Sequence, residues 1–267
     1  MLKDITIGQY YPARSFLHRL DPRIKIAGTL LYIISLFVMH TWGFLIGAGF
    51  LAAAVIVSKV PPLFMLRGLR PVWIILAITL ALNLFLTSGT VIWSAGIFTI
   101  TQEGAELAAR NGVRFCMLIM GASIMTYTTT PGMLTAGLEK LMMPLSRLGV
   151  PVSDAAMTMS IALRFIPILM DEADRIMQAQ KARGADFESG GLIRRLKALF
   201  PLLVPLFVSA FRRAGDLALA MDARCYGYTA VRTRMNPLLL EKIDYFVIIV
   251  LSVYIAAVIL LRVFCGW

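Results

Sequence analysis

The sequence predicts an all-α integral membrane protein, with about five transmembrane helices plus long amphipathic cytoplasmic helices. Three observations carry that prediction. Of 267 residues, 59% are hydrophobic and only 15% charged, where a soluble chain carries about 25% charge. Mean hydropathy is +0.79, and one run of 33 residues, Ile26 to Ser58, holds no charge. Beyond Pro131 charges recur every few residues while apolar residues stay dense, which is the composition of helices with one apolar face. Together these exclude a disordered chain, a fibrous protein and a secreted disulfide scaffold.

Residues 1–25 contain Lys3, Arg14, Arg19, Arg23 and Lys25 and no apolar core. They read as a cytoplasmic N-terminal segment rather than a cleaved signal. The run from Ile26 to Ser58 is too long for a single span of about 20 residues. A break at His40-Thr41-Trp42-Gly43 divides it into two short spans of roughly 16 residues, with the Trp at the outer interface. Lys59, Pro61, Pro62, Arg67 and Arg70 then form a basic, helix-breaking loop, placed inside by its positive charge.

Residues 72–88 make a third span. The uncharged stretch to Thr101, interrupted by Gly89, Ser94 and Gly96, reads as an external loop or re-entrant piece. A fourth span runs from about Arg114 to Thr128, with an earlier start at Ala108, Ala109 and Arg110 near an interface as the alternative, and stops at Thr128-Thr129-Thr130-Pro131, where a threonine cap and a first-turn proline start the next helix. The membrane domain is thus 26–129.

From 130 to 243 the pattern is amphipathic and no stretch is expected to cross a bilayer. Within 152–183, Met159, Ala162, Leu163, Ile166, Leu169, Met170, Ala173, Ile176 and Met177 recur at three- and four-residue steps. A second unit runs from about Ile193 to Arg224, interrupted at Pro201 and Pro205. Residues 244–267 hold the final span, Tyr245 to Leu261, with Arg262 and Trp267 near the outer surface. The topology predicted is N-terminus inside and C-terminus outside.

The net charge of +11 would suggest nucleic acid in a soluble chain; in a membrane chain it reports cytoplasmic loops, and no nucleic acid is expected. Cys116, Cys225 and Cys265 form neither a CxxC pair nor a disulfide framework and read as small buried residues. No Gly-Lys dipeptide occurs, so a Walker A loop is absent and the chain itself is not expected to be an ATPase. No HExxH is present, and His18 and His40 read as packing or interfacial residues. No catalytic, cofactor-binding or metal-binding residues are expected. Asp171, Glu172 and Asp174 leave one enzyme alternative, a membrane-embedded metal-dependent transferase, against the reading of a solvated helix face with Arg175 alongside. A stand-alone channel or secondary carrier is a further alternative, disfavoured because the first three spans contain no ionisable residue.

One short pattern repeats. Ala179-Gln180-Lys181-Ala182-Arg183-Gly184 and Ala220-Met221-Asp222-Ala223-Arg224-Cys225 place their arginines 41 residues apart, each at the end of an amphipathic unit. A cation in a last helical turn complements the helix dipole, and Gly184 or Gly227 supplies a left-handed stop. The same residues would also let a helix end press into a partner's groove, with a guanidinium set against a carboxylate. Two copies suit two partner subunits.

Gly8-Gln9-Tyr10, Ser15 with His18-Arg19-Leu20-Asp21-Pro22-Arg23-Ile24-Lys25, Thr128-Thr129-Thr130-Pro131, Leu163-Arg164-Phe165-Ile166-Pro167 and the paired Ala-Arg motifs occur in an order and spacing that resembles the transmembrane T component (EcfT) of energy-coupling-factor (ECF) transporters, the ABC-type importers of vitamins and metal ions. The resemblance runs nearly end to end. It implies a non-catalytic subunit of the bacterial cell membrane, with 130–243 as its coupling region. Ala182, Arg183, Gly184 and Ala223, Arg224, Cys225 would dock on two cytosolic ABC-type ATPase subunits (EcfA-like). A membrane-embedded substrate-binding S component would pack on the apolar faces, with vitamin uptake the implied role. Cys225 stands where the family commonly has Gly. Met133, Met142, Met143, Met157, Met159, Met170 and Met177 would give an adaptable surface for partners.

Overall fold

The computed structural model describes residues 10–39, 43–68, 72–95, 98–185, 191–227 and 237–264. Gly8, Gln9, the turn at His40-Thr41-Trp42, Arg70, Gly96, Cys265 and Trp267 lie outside the described residues. The chain folds as two units, one drawn from 7–150 and 239–267, the other from 151–238.

In the first unit, α1 (Phe16–Arg19) leads into α2 (Pro22–Val38). The helix starts four residues before the uncharged run because Asp21 caps it, accepting from the backbone N–H of Arg23 at 2.8 Å, with Pro22 in the first turn. Arg23 and Lys25 therefore belong to this helix rather than to a segment preceding it. α3 (Gly43–Ser58) ends at Lys59, whose φ is 56°, and the buried Ser58 hydroxyl accepts from Val60 N–H at 3.2 Å. The basic loop after it contains a short helix, α4 (Pro62–Arg67), which Pro62 starts rather than breaks.

α5 (Trp73–Leu86) is followed by β1 (Val91–Ala95) and β2 (Phe98–Thr101). The stretch expected as a loop is an antiparallel hairpin, with Trp93 opposite Ile100 and Ala95 opposite Phe98. Its β-branched and aromatic residues favour extended backbone. Thr101 then caps α6 (Gln102–Thr128) by accepting from Gly104 N–H at 3.1 Å, so that helix starts well before Arg114. The threonine run behaves as predicted: Thr129 ends α6, and Thr130 caps α7 (Pro131–Met142), accepting from Met133 N–H at 3.4 Å. A 3₁₀ segment, Met143–Leu148, closes this part.

α2 is the centre of the unit, touching α3, α6, α7 and α10 (Lys242–Phe264). Tyr32, Leu36, Met39, Phe44, Leu51, Met117, Ile124, Tyr127, Tyr254 and Val258 form the core around it. Gly121 permits this packing, since a Cβ there would stand 2.7 Å from the Tyr32 ring. Ser35 donates to Tyr32 O at 2.7 Å and receives the Tyr254 hydroxyl at 2.8 Å. Arg114 donates from Nε to Leu36 O at 3.1 Å and lies over Phe37 and Phe44, satisfying a carbonyl of the last turn of α2.

The run His18 to Lys25 is a knot of buried polar contacts. Asp244, 2% exposed, accepts from Asp21 N–H at 2.9 Å and from Glu241 N–H at 2.7 Å. Lys25 donates to Thr128 O at 3.0 Å, joining the start of α2 to the end of α6. His18 Nε2 donates to Tyr11 O at 3.0 Å, which leaves Nδ1 to accept from Ser15 at 2.6 Å. Both ring nitrogens of His18 are thus engaged within the fold.

The second unit is an antiparallel pair, α8 (Val152–Ala182) and α9 (Leu192–Ala223). The amphipathic stretch 130–243 is thus shared: α7 packs on α2, whereas α8 and α9 pack on each other. Among the described residues, Lys242–Phe264 and Val152–Ala182 are long and apolar enough to cross a membrane, and Gly43–Ser58 and Trp73–Leu86 are shorter apolar helices. That length of apolar helix in α8 was not expected after Pro131. It arises because Asp154 and Arg164 are its only charges before Asp171.

Candidate functional site

The two Ala-Arg motifs form matching helix ends. Arg183 and Arg224 are the C-cap residues of α8 and α9, with φ of −86° and −96°. At the first end, Gly184 N–H donates to Lys181 O at 3.0 Å and Ala185 N–H to Gln180 O at 2.9 Å. At the second, Cys225 N–H donates to Asp222 O at 2.9 Å and Tyr226 N–H to Met221 O at 3.0 Å. Both are the doubly bonded turn that requires a left-handed residue just past the cap. Gly184 takes φ 87° there, and Cys225 takes φ 55°. The small Cys thus adopts the conformation that glycine holds without strain, at a cost of about 1–2 kcal/mol for a residue with a side chain.

Ala182, Arg183, Gly184, Ala223, Arg224 and Cys225 are all exposed. Neither guanidinium has an ion-pair partner among the described residues. Cys225, read from the sequence as buried, is exposed because it caps a helix rather than filling a core. The helix-end geometry is therefore present in both copies, and both arginines are presented to a partner or to water.

The two ends diverge one residue beyond the left-handed position. Tyr226 reaches back along the pair and donates its hydroxyl to the Met157 sulfur of α8, whereas the corresponding residue of the first end is Ala185, too short for any such contact.

Between the ends lies a contact that the sequence reading missed. Glu172 of α8 accepts from Ser209 Oγ at 3.0 Å through Oε1 and pairs with Arg213 of α9 through Oε2. The Arg213 and Ser209 hydrogen bonds hold the Glu172 carboxyl below the usual carboxylate range. Arg175 does act on Glu172, as a solvated face with Arg175 alongside implies, but the direct hydrogen-bond partners come from the other helix. Glu172 and Arg213 lie 41 residues apart, so no local sequence signal announces the contact. Asp171, Glu172 and Asp174 do not gather as a metal cluster; among the described residues no group of three acidic, His or Cys side chains does.

Large apolar side chains of α9 remain uncovered. Phe200, Val204, Phe207, Val208 and Phe211 are 55–74% exposed and follow the spacing of one helical stripe. Met133, Met142, Met143 and Met159 are exposed as well.

Residues 13–235 match the family described as cobalt transport protein, CbiQ. Curated relatives match over almost their whole length. Each of three bears the name energy-coupling factor transporter transmembrane protein EcfT. That of Ruminiclostridium cellulolyticum is 48% identical over 98% of both chains. That of Clostridium kluyveri is 47% identical over 100% of both. The protein of Thermosediminibacter oceani is 50% identical over 91% of this chain and 92% of its own. With a helical membrane architecture and this similarity from end to end, the chain belongs to the family of energy-coupling factor transporter transmembrane proteins, EcfT.

Proposed function

We propose that the chain is the non-catalytic coupling subunit of an ATP-driven importer in the bacterial cell membrane, with vitamin uptake as its role. Two cytosolic ATPase subunits dock on Ala182-Arg183-Gly184 and Ala223-Arg224-Cys225. ATP hydrolysis belongs to those subunits, and their movement passes through α8 and α9 to a membrane-embedded S component that holds the substrate. The S component packs on the apolar stripe of α9 and the exposed methionines. The 130–243 region acts in coupling, and about five spans leave the N-terminus inside and the C-terminus outside.

The observation that carries this reading is the pair of helix ends with the same closing turn, each presenting a C-cap arginine to its surroundings. A single cationic helix end is ordinary. Two built alike at a 41-residue offset suit two similar partner grooves. An arginine there offers a planar fork that a lysine does not reproduce.

The test is co-purification. With Arg183→Glu and Arg224→Glu together, insertion and S-component association are expected to persist while ATPase recruitment and uptake are lost. Normal recovery of both ATPases with normal uptake would reduce the motifs to helix caps. The isolated chain is expected neither to bind nor to hydrolyse ATP, a result equilibrium dialysis would show directly.

A further inference from the structure

We infer that Glu172, Arg213 and Ser209 form a clamp that fixes the spacing of the two arginine-bearing helix ends, a positioning role that rests on the docking proposed for those ends. The register supports it. Arg183 lies eleven residues beyond Glu172, and Arg224 lies eleven residues beyond Arg213. At the helical rise each end stands about 16 Å from the clamp. α8 and α9 run antiparallel, as the contacts Glu172 with Arg213 and Met157 with Tyr226 require, so the two ends point away from the clamp in opposite directions.

The placement of prolines gives the clamp its significance. Pro167 in α8 and Pro201 and Pro205 in α9 all precede it in their own helices, and each removes a backbone hydrogen bond where it stands. The stretches from clamp to tip, 172–183 and 213–224, contain no proline. Each is three turns of uninterrupted helix ending in a docking turn. Along each helix, the points where it yields therefore lie on the far side of the clamp from the tip. A push at a tip reaches the clamp before it reaches a proline of the same helix.

The contact is built to hold direction. Both carboxylate oxygens of Glu172 are engaged by α9, one by a hydroxyl and one by a guanidinium. Arg213 Nε is buried while the side chain as a whole is 41% exposed and that of Glu172 26%, so the guanidinium lies along the edge of the helix pair with one face to water. An exposed ion pair adds little stability; two donors on one carboxylate from a facing helix instead select one register.

The test reads distances in the full chain in a background lacking Cys116, Cys225 and Cys265, and reads uptake and co-purification in the chain that keeps its cysteines. Spin labels are placed at Gln178 and Leu219, which are exposed and again 41 residues apart, and their separation is read by pulsed dipolar spectroscopy. The parent is expected to give one narrow distance. Glu172→Gln with Arg213→Met is expected to broaden it, and uptake by the assembled transporter is expected to fall at least about fivefold while each ATPase still co-purifies. The exchanged pair, Glu172→Arg with Arg213→Glu, is expected to narrow the distance again and recover uptake, which a variant that merely misfolds would not allow. An unchanged distance in the Gln and Met variant, or a broadened distance with undiminished uptake, overturns the proposal. Failure of the docking reading is separable: it would appear as ATPase recruitment by Arg183→Glu with Arg224→Glu, in a chain whose label distance still reports the clamp.

Discussion

The ends of α8 and α9 close with the same two hydrogen bonds, yet the residue after the left-handed position is a short Ala185 in one and a Tyr226 held to Met157 in the other. The α8 end has glycine at the left-handed position and Ala185 after it. The α9 end has Cys225 at that position and Tyr226 after it, held to Met157. An unstrained but unanchored turn is thus set against a strained but anchored one. Tyr226 offsets what Cys225 costs, and two presentations of arginine arise from different local chemistry. The same closing turn, made twice, is specified at the level of the backbone rather than by an identical sequence.

The largest effect is expected from reversing one charge at a time. Arg183→Glu and Arg224→Glu alone should each weaken ATPase docking by roughly 2–5 kcal/mol, through repulsion and an unpaired charge at the interface. If the ends are equivalent, either single change abolishes uptake while one ATPase is still recruited. Full uptake in one single variant, measured in vesicles, would show that the ends are not equivalent in use.

Tyr226→Ala comes next. Loss of its contact to Met157 should cost the α9 turn about 1 kcal/mol, seen as roughly fivefold faster exchange of the Cys225 and Tyr226 amides with no change at Gly184 and Ala185. Equal acceleration at both ends would mean that the anchor is not local. Gly184→Ala should cost a similar amount, about 1 kcal/mol, because it places a side chain at φ 87°. Cys225→Gly should do the reverse and slow exchange at the α9 turn by less than about 1 kcal/mol, since relief of strain is partly cancelled by the greater freedom of glycine when unfolded.

The smallest effect is with pH. Hydrogen bonds from Arg213 and Ser209 lower the Glu172 carboxyl in the folded pair. A depressed carboxylate contributes stability that is complete above its unfolded value and fades as pH falls through the folded one. The label distance across the clamp should therefore be constant from about pH 8 to pH 5 and broaden only below about pH 4. Broadening near neutrality would show that Glu172 is not held as a carboxylate.

Much of the architecture was legible because it is set locally. Thr130 and Pro131 announced a helix start, and an Ala-Arg-small sequence announced where α8 and α9 stop, since capping depends on a few adjacent residues. α2 begins inside the charged segment because Asp21 caps it and pairs with Arg23, while Lys25 is buried against the His18 and Thr128 carbonyls. The hairpin at 91–101 was hidden by a loop-like mixture of Gly and Ser with β-branched residues. The clamp was illegible for a different reason. Glu172, Ser209 and Arg213 are far apart in sequence, and only the packing of α8 on α9 brings them together. At the helix ends the sequence identified the residues, while the strain at Cys225 and the anchor at Tyr226 required the folded chain.

The docking of two ATPases on two matched ends is tested most directly by contact. A photo-reactive amino acid at Ala182, and separately at Ala223, in otherwise unaltered transporter should form a covalent product with an ATPase subunit at each position on illumination. A product with the ATPase at both positions is the predicted result. Products only with lipid or with the S component at either position would contradict it.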